Sequence, residues 1–493
     1  MTKPVAAHDL AEVSVGAMPV WRASSIRQTG IATHLRSDAV SLLIIGDTSI
    51  AGRTCVTLAA LGQPMVHLQR PGDAELQTAC TDPSIRGVAV LLHDDTAAAR
   101  YVLAVEHLRP RIPIFVALFD RTTAHQLRRV VPNVTVTSPA DVALPTLMGA
   151  LMGDAVVAIG PEPAHDPTDR PTPGGGTERR VAVIREGQGL RVAPYDTPDD
   201  IRRRGVVGRL QGQFRPHDGN SAILLTGLLG MLAILVLDTL LSSVMLHRGF
   251  LDSLVEAVAV LSTVGPAPHA EGHPWYQVFA VVAMLSAIIF LAVFTAGTVE
   301  HLLSGRHVGL FGRRVLPHSG HVVVVGLGQV GMRLCQELRS QGVAVAALER
   351  DAHGRNLPIA RAAGIPVLIG DGGMRRVQQR LHVDSCLAVA AVASDDLDNI
   401  AVSITARALA PGVPVVMRAG NDGAIAETAS LFRIGSVVDV NGLTVSAVAD
   451  WAAGQDPAFL ADAGADIATV RRDGSVTRHE KVLGNECPHV RRT

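Results

Sequence analysis

Two apolar runs constrain this chain more than any other feature of it. Ser221–Leu246 is interrupted only by Asp238 and a few small or hydroxyl residues, and Trp275–Val299 carries no charge at all. A helix needs about 20 apolar residues to cross the hydrocarbon core of a bilayer, and both runs reach that length. The flanking charges agree. Arg202, Arg203, Arg204, Arg209 and Arg215 precede the first run, and Arg306, Arg313 and Arg314 follow the second. The loop between them sets Arg248 against Asp252, Glu256 and Glu271. Basic residues collect on the cytoplasmic side of membrane helices, so the expectation is a multi-pass cell-membrane protein in a lipid bilayer, with two crossings and both termini cytoplasmic. Charged residues make up 18% of the 493, below the roughly one quarter usual in soluble domains. The net charge of −1 gives no reason to expect a nucleic-acid partner. Cys55, Cys80, Cys335, Cys386 and Cys487 follow no metal-binding spacing. They read as reduced, buried thiols on a cytosolic face, and no metal site is expected from them.

The loop between the runs holds Phe250–Leu261, apolar and helical in character but too short to cross. Such a segment is tolerated at membrane depth only where it lines a cavity. It leads into Ser262-Thr263-Val264-Gly265-Pro266-Ala267. Helix, short helix, Thr-Val-Gly and a second helix together resemble the pore module of two-helix potassium channels, in which backbone carbonyls of the Thr-Val-Gly-Tyr-Gly loop replace the hydration shell of the ion. The resemblance implies an ion pathway at Thr263, Val264 and Gly265, with a monovalent cation in the pore. Pro266 and Ala267 depart from it. Proline fixes φ near −65° and alanine resists positive φ, so the outer half of a standard filter does not form with the usual backbone. Asp238, costly in lipid by about 2.5–3.5 kcal/mol, is expected to face protein or water near Ser242 or Ser243. It reads either as a pore-vestibule or gating charge or as an interhelical polar contact. His269 and His273 flank Glu271 with no further candidate ligands nearby.

After the membrane segment the pattern changes to alternating strand and helix. His321–Val325 is a β-branched run, followed by Gly326-Leu327-Gly328-Gln329-Val330-Gly331 and an amphipathic stretch to about Ser340. Val343–Leu348 is the next strand, ending in Glu349. A glycine fingerprint between a strand and a helix, with an acid at the end of the following strand, is the dinucleotide-binding pattern. Gly326 permits the tight turn, Gly328 lets backbone approach phosphate, and Gly331 allows helix and strand to pack closely. The helix N-terminus then faces the pyrophosphate, and Glu349 accepts from ribose hydroxyls.

The continuation runs through Ile365–Ile369 with Gly370-Asp371, Leu387–Ala393 with Ser394-Asp395-Asp396-Leu397-Asp398-Asn399, and Val413–Met417 with Arg418. Over roughly Gly320–Asp450 the chain resembles the RCK (regulator of potassium conductance, TrkA-N-like) domains of channels and of Trk and Ktr transporters. The resemblance implies cofactor-binding residues Gly326, Gly328, Gly331, Glu349, Asp371 and Arg418. The regulatory ligand it implies is a small-molecule adenine nucleotide or NAD(H). Calcium-gated members carry acids where this chain has Arg418-Ala419, which disfavours calcium at that position.

The N-terminal region repeats this pattern. Ile44-Ile45-Gly46 through Leu68-Gln69-Arg70 aligns without gaps on Val324-Val325-Gly326 through Leu348-Glu349-Arg350, at an offset of 280. Arg53 falls on Arg333, Cys55 on Cys335 and Gly62 on Gly342. Asp94-Asp95, Pro110 and Pro113 then match Asp395-Asp396, Pro411 and Pro414 at an offset of 301. Two ungapped blocks in the same order indicate duplication. The copies differ where chemistry belongs. Thr48 replaces Gly328, Ala51 replaces Gly331, Gln69 replaces Glu349 and Ala117 replaces Arg418. The first copy therefore reads as structural or differently liganded.

The expected fold class is two α/β Rossmann-like RCK domains plus an α-helical two-span transmembrane pore module. The expected organisation is a degenerate Rossmann domain at 38–160, a Pro/Gly linker and hairpin at 161–217, the membrane module at 218–304, a nucleotide-binding Rossmann domain at 318–450, and a tail with a hairpin at 451–493. Hairpins are expected around Gly187-Gln188-Gly189 and Asp473-Gly474. Residues before about Ser37 read as poorly ordered. A pore loop closes only around an axis, so the resemblance implies a homotetramer. The function expected is a ligand-gated cation channel and not an enzyme. Two alternatives stay open: a non-conducting nucleotide sensor or regulatory subunit of cation transport, and an NAD-dependent oxidoreductase, which would lack a substrate domain.

Overall fold

A computed structural model describes residues 41–163, 179–187, 189–214, 219–245, 247, 249–262, 274–303, 315–420, 435–482, 484, 487 and 490–491. Thr263, Val264, Gly265, Pro266, Ala267, His269, Glu271 and His273 lie outside the described residues, as do Arg215, Arg248, Arg306, Arg313, Arg314, most of the Pro161–Gly176 linker and everything before Ser41.

The first αβ unit comprises β1 (Ser41–Ile45), α1 (Ser49–Ala60), β2 (Met65–Leu68), α2 (Asp73–Thr81), β3 (Ile85–Val90), α3 (Asp95–Leu108), β4 (Ile114–Ala117), α4 (Arg121–Val130), β5 (Val134–Thr137) and α5 (Pro139–Met152). A small sheet follows, of β6 (Val156–Pro161), β7 (Arg180–Glu186) and β8 (Gly189–Tyr195). Then come α6 (Asp199–Phe214), α7 (Gly219–Met245), α8 (Phe250–Ser262) and α9 (Pro274–Leu303). The second αβ unit is β9 (His321–Val325), α10 (Gln329–Ser340), β10 (Ala344–Glu349), α11 (Leu357–Ala362), β11 (Val367–Ile369), α12 (Arg375–Arg380), β12 (Ala388–Ala391), α13 (Asp396–Leu409), β13 (Val415–Ala419), β14 (Ser436–Asp439) and α14 (Val440–Ala452). It ends in a second small sheet, β15 (Phe459–Asp462), β16 (Asp466–Val470) and β17 (Val476–Glu480), and a short strand, β18 (Val490–Arg491).

The second large sheet runs β11-β10-β9-β12-β13-β14, all pairs parallel. This is the doubly wound Rossmann order, and strands buried on both faces read as the continuous Val/Ala runs seen in the sequence. The first sheet runs β18-β2-β1-β3-β4-β5. Between β2 and β3 the chain forms α2 and no strand, which accounts for the step between the offsets of 280 and 301. The outer place that β11 fills in the second sheet is taken in the first by β18, whose Val490 and Arg491 pair in parallel with His67 and Leu68. The Rossmann α/β class is as expected. The use of the chain's far end to complete the first sheet was not visible in the sequence.

The two sheets exchange helices. α5, which leaves the first sheet, buries Ala140, Ala143, Leu147 and Leu151 in one core with Val322, Val324, Leu334 and Leu338 of the second. α14, which leaves the second sheet, buries Val445 and Val448 with Ile44, Ile50 and Leu58 of the first. Trp451 of α14 meets Phe115 of β4 with ring centroids 5.6 Å apart. The repeated arginines follow the same exchange. Arg53 reaches Asp439, the N-cap of α14, at 3.0 and 2.7 Å. Arg333 bonds Ser138, which precedes α5, and Asp141 within it, the latter at 2.9 Å.

Among the described residues, two helices are long and apolar enough to cross a membrane, over Leu225–Val244 and Pro274–Val299. They pack through small residues. A Cβ added at Gly227 would lie 2.7 Å from the Phe294 backbone nitrogen, and one at Gly230 2.3 Å from the Phe290 ring. Such close approach is how membrane helices gain contact when burial of apolar surface gives no drive. Their large side chains, among them Leu229, Leu240, Val278, Leu285 and Ile289, are exposed. Asp238 is buried, and its Oδ1 accepts a hydrogen bond from the Tyr276 hydroxyl at 2.9 Å, joining α7 to α9. Of the two readings of Asp238, this geometry is that of an interhelical contact.

Residues 199–214, within the stretch expected to hold only linker and hairpin, form α6. It seats on the second αβ unit through glycines. A Cβ at Gly208 would fall 1.9 Å from the Ser319 carbonyl oxygen and one at Gly212 2.2 Å from that of Leu316, and the His318 amide donates to the Gly208 carbonyl at 2.9 Å.

Candidate nucleotide-binding cleft

β9 ends at Val325, and the chain turns at Gly326 with φ +93°. A Cβ there would need a left-handed backbone and would lie 2.6 Å from the Ala393 backbone. A Cβ at Gly331 would fall 1.9 Å from the Gly326 carbonyl oxygen. These two glycines serve packing. Gly328, the N-cap of α10, has nothing within 4 Å of its added Cβ, so it opens onto free space. No side chain caps α10, and its first amides face that space without a capping partner. An N-terminus of this kind favours an anion by amide donation and by dipole.

The space is a cleft of roughly 1080 Å³. Gly326, Gly328, Glu349 and Arg418 line it together. Gly331 lies behind the Gly326 carbonyl and does not line it. Asp371 does not line it either, although Gly370 and Gly372 beside it do. Its carboxylate accepts from the Gly373 amide at 2.9 Å and sits 3.5 Å from Arg350. Glu349 accepts from the Leu327 amide at 2.8 Å through Oε2, and from the Arg350 and Asp351 amides through Oε1. It therefore braces the turn that follows Gly326. Arg418 has its pKa held below the usual guanidinium value by burial, with the nearby Asp396 carboxylate opposing that shift. Its Nη1 donates weakly to the Ala393 carbonyl at 3.4 Å, and its buried Nε has no hydrogen-bond partner among the described residues. A buried cation with an unused donor suits an anionic oxygen.

Sequence reasoning missed two asparagines. Asn399 receives the Ala393 amide at 2.8 Å and donates to the Ala393 and Arg418 carbonyls, which ties β12 to β13 at the floor of the cleft. Asn356 donates to the Leu327 carbonyl at 2.9 Å. It also missed the opposite wall, which the first αβ unit supplies through Asp95, Phe119, Asp120 and Thr123. Asp95 accepts the Phe119 and Asp120 amides at 3.1 and 2.6 Å. Asp120 caps α4, and hydrogen bonds from the Thr123 amide and hydroxyl hold its carboxyl below the usual range. Arg333 of α10 donates to the Phe119 carbonyl at 2.6 Å and so fixes one wall to the other. The only trace of this in the sequence was the repetition of Asp94-Asp95 and of Arg53 and Arg333.

The corresponding place in the first αβ unit is closed by its own residues. Thr48 accepts from the Ala51 amide at 3.3 Å and donates to the Leu91 carbonyl at 2.8 Å. The threonine thus caps the helix end that Gly328 leaves open.

Comparison with known proteins agrees with this geometry. The family model described as the TrkA-N domain matches residues 322–438. Potassium channel protein 1 of Methanocaldococcus jannaschii is 19% identical over 201 residues, covering 39% of this chain and 60% of that protein. An uncharacterized protein of Methanothermus fervidus is 21% identical over 210 residues, covering 42% of this chain and 33% of its own length. The chain thus spans less than two thirds of either relative. Among solved structures, the GsuK RCK domain matches with a TM-score of 0.45 and 12% identity, covering 84% of this chain and 77% of that one. The GsuK channel bound to NAD matches with a TM-score of 0.45 and 13% identity, over 84% and 64%. Residues 322–438, which supply one wall of the cleft, match the TrkA-N domain.

Proposed function

We propose that this chain is the subunit of a homotetrameric cation channel in the cell membrane, with both termini cytoplasmic, and that an adenine nucleotide or NAD(H) bound in the cleft regulates it. The observation that carries the reading is the cleft's construction. One wall offers an uncapped helix N-terminus at Gly328 and the buried Arg418, and the other belongs to the first αβ unit. A phosphate-bearing ligand there touches both units, so it binds one arrangement of the two better than another and shifts their balance. α6 sits on the TrkA-N domain and precedes α7 in the chain, which supplies a route from that shift to the membrane helices. Similarity to an archaeal potassium channel protein supports the channel class. The ligand is read as a regulator and not as a redox cofactor. A cation would pass Thr263, Val264 and Gly265, which lie outside the described residues.

A second reading rests on Pro266-Ala267, which does not permit the standard outer filter. In it the protein senses nucleotide without conducting. Purified protein in liposomes under potassium and sodium gradients separates the two. Cation flux that changes with added ADP or NAD supports the channel. Nucleotide binding without flux in any gradient supports the sensor, and absence of both overturns the nucleotide assignment.

A further inference from the structure

The first sheet is completed by a strand from the other end of the chain, and one cluster lies where that strand joins. Cys55 on α1, His67 on β2 and Cys487 on the tail before β18 bring two sulfurs and a ring nitrogen within 4.8 Å of one another. The two thiols face each other within that distance. His67 is 3% exposed, and its Nε2 lies 2.7 Å from the Gly46 carbonyl oxygen. A carbonyl accepts only, so Nε2 carries the proton and Nδ1 is a bare lone pair. That Nδ1 is buried and has no hydrogen-bond partner. An imidazole that donates one N–H to a backbone carbonyl and leaves the other nitrogen unprotonated and unsatisfied is in the state of a metal-ligating histidine.

We propose that Cys55, His67 and Cys487 bind a thiophilic divalent cation of the zinc class, which clasps the C-terminal tail to the edge of the first sheet. Two thiolates and an imidazole suit zinc, with a fourth position for water. Tetrahedral zinc with Zn–S of about 2.3 Å places its sulfurs about 3.8 Å apart. Ligand atoms already within 4.8 Å reach that spacing by small side-chain rotations. The second αβ unit has no such site, because Cys335 matches Cys55 but Ala347 stands where His67 would fall. It also needs none, since β11 fills its own sheet edge. The cation supplies cohesion where, among the described residues, the tail contributes two residues of β-pairing to this sheet.

The test uses the full chain in detergent with reductant, stripped by chelator, and zinc or cobalt alone as probe. Zinc is expected to bind at one per chain. Cobalt is expected to give a thiolate charge-transfer band and the visible spectrum of a tetrahedral site. Cys487→Ser, on the tail and only partly buried against the first core, should weaken zinc binding by more than the ~10–100-fold that outer-shell changes cost. Cys386→Ser, remote from the cluster, should leave it unchanged. Zinc should also slow proteolysis of the tail in wild type and not in Cys487→Ser. Wild type that takes up no zinc, Cys487→Ser that keeps it, or a Cys55–Cys487 disulfide in place of metal uptake each overturns the proposal.

Discussion

Arg53 and Asp439 offer the sharpest test of the exchanged-helix fold. Both side chains are 1% exposed, and two hydrogen bonds join them at 3.0 and 2.7 Å. Asp439 also accepts the Gly442 amide at 2.8 Å as the cap of α14. Arg53→Met leaves that carboxylate buried without its counter-charge, a change that costs about 3–5 kcal/mol. For a unit of this size each kcal/mol moves Tm by about 2–4 °C, so Tm should fall by about 6–20 °C. Asp439→Asn keeps an N-capping side chain but removes the charge. The Arg53→Met/Asp439→Asn double variant should therefore be more stable than Arg53→Met alone, with a coupling of about 0.5–3 kcal/mol between the sites. Intrinsic tryptophan fluorescence during heating reads this directly, because Trp451 on α14 rests against Phe115 of the first sheet. A fall below about 2 °C for Arg53→Met, or two effects that simply add, would refute the reasoning.

Gly328→Asp should abolish adenine-nucleotide binding by calorimetry without unfolding the domain, since its Cβ meets nothing within 4 Å; Thr48→Asp should leave binding nearly intact. Equal losses would break the assignment of one open and one closed copy. Gly208→Ala places a methyl 1.9 Å from the Ser319 carbonyl oxygen, so nucleotide should still bind while its effect on flux is lost; a preserved flux response would remove α6 from the coupling route. His321 is buried in β9 with Nε2 on the Leu381 carbonyl, and burial pushes its pKa from 6.5 down to about 4. The unfolded chain then binds the proton first as pH falls, so the contribution is fully present above pH 6.5 and lost as pH drops towards 4. That is worth roughly 3 kcal/mol at about 1.4 kcal/mol per pH unit. Tm measured from pH 7 to pH 4.5 should fall, and His321→Asn should flatten the slope; an unchanged slope would remove His321 as its cause.

The sequence by itself determined what depends on neighbouring residues. Membrane helices show themselves because the bilayer demands one long apolar segment, and α7 and α9 follow the two runs closely. Gly326, Gly328 and Gly331 mark a strand, a turn and a helix N-terminus within a few residues, so the half of the cleft around the α10 N-terminus was legible. The recurrence of the strand–helix pattern in the first unit was legible too, since it needs only register. Tertiary structure decided everything that joins distant parts. That α5 and α14 cover each other's sheets follows from packing of apolar faces that either sheet would have accepted. Asp371, at a strand end like Glu349, is drawn to Arg350 and Gly373 and not to the cleft, a choice made by side-chain geometry. The opposite wall of the cleft comes from residues some 200 positions earlier, Arg333 donating to Phe119 across a separation of 214. The cysteines followed no metal spacing, yet the strand missing after β2 leaves an edge that β18 must cover, and covering it carries Cys487 to Cys55 and His67. Local chemistry is written in consecutive residues; which surfaces meet is settled by the burial and hydrogen bonding that only the folded chain can satisfy.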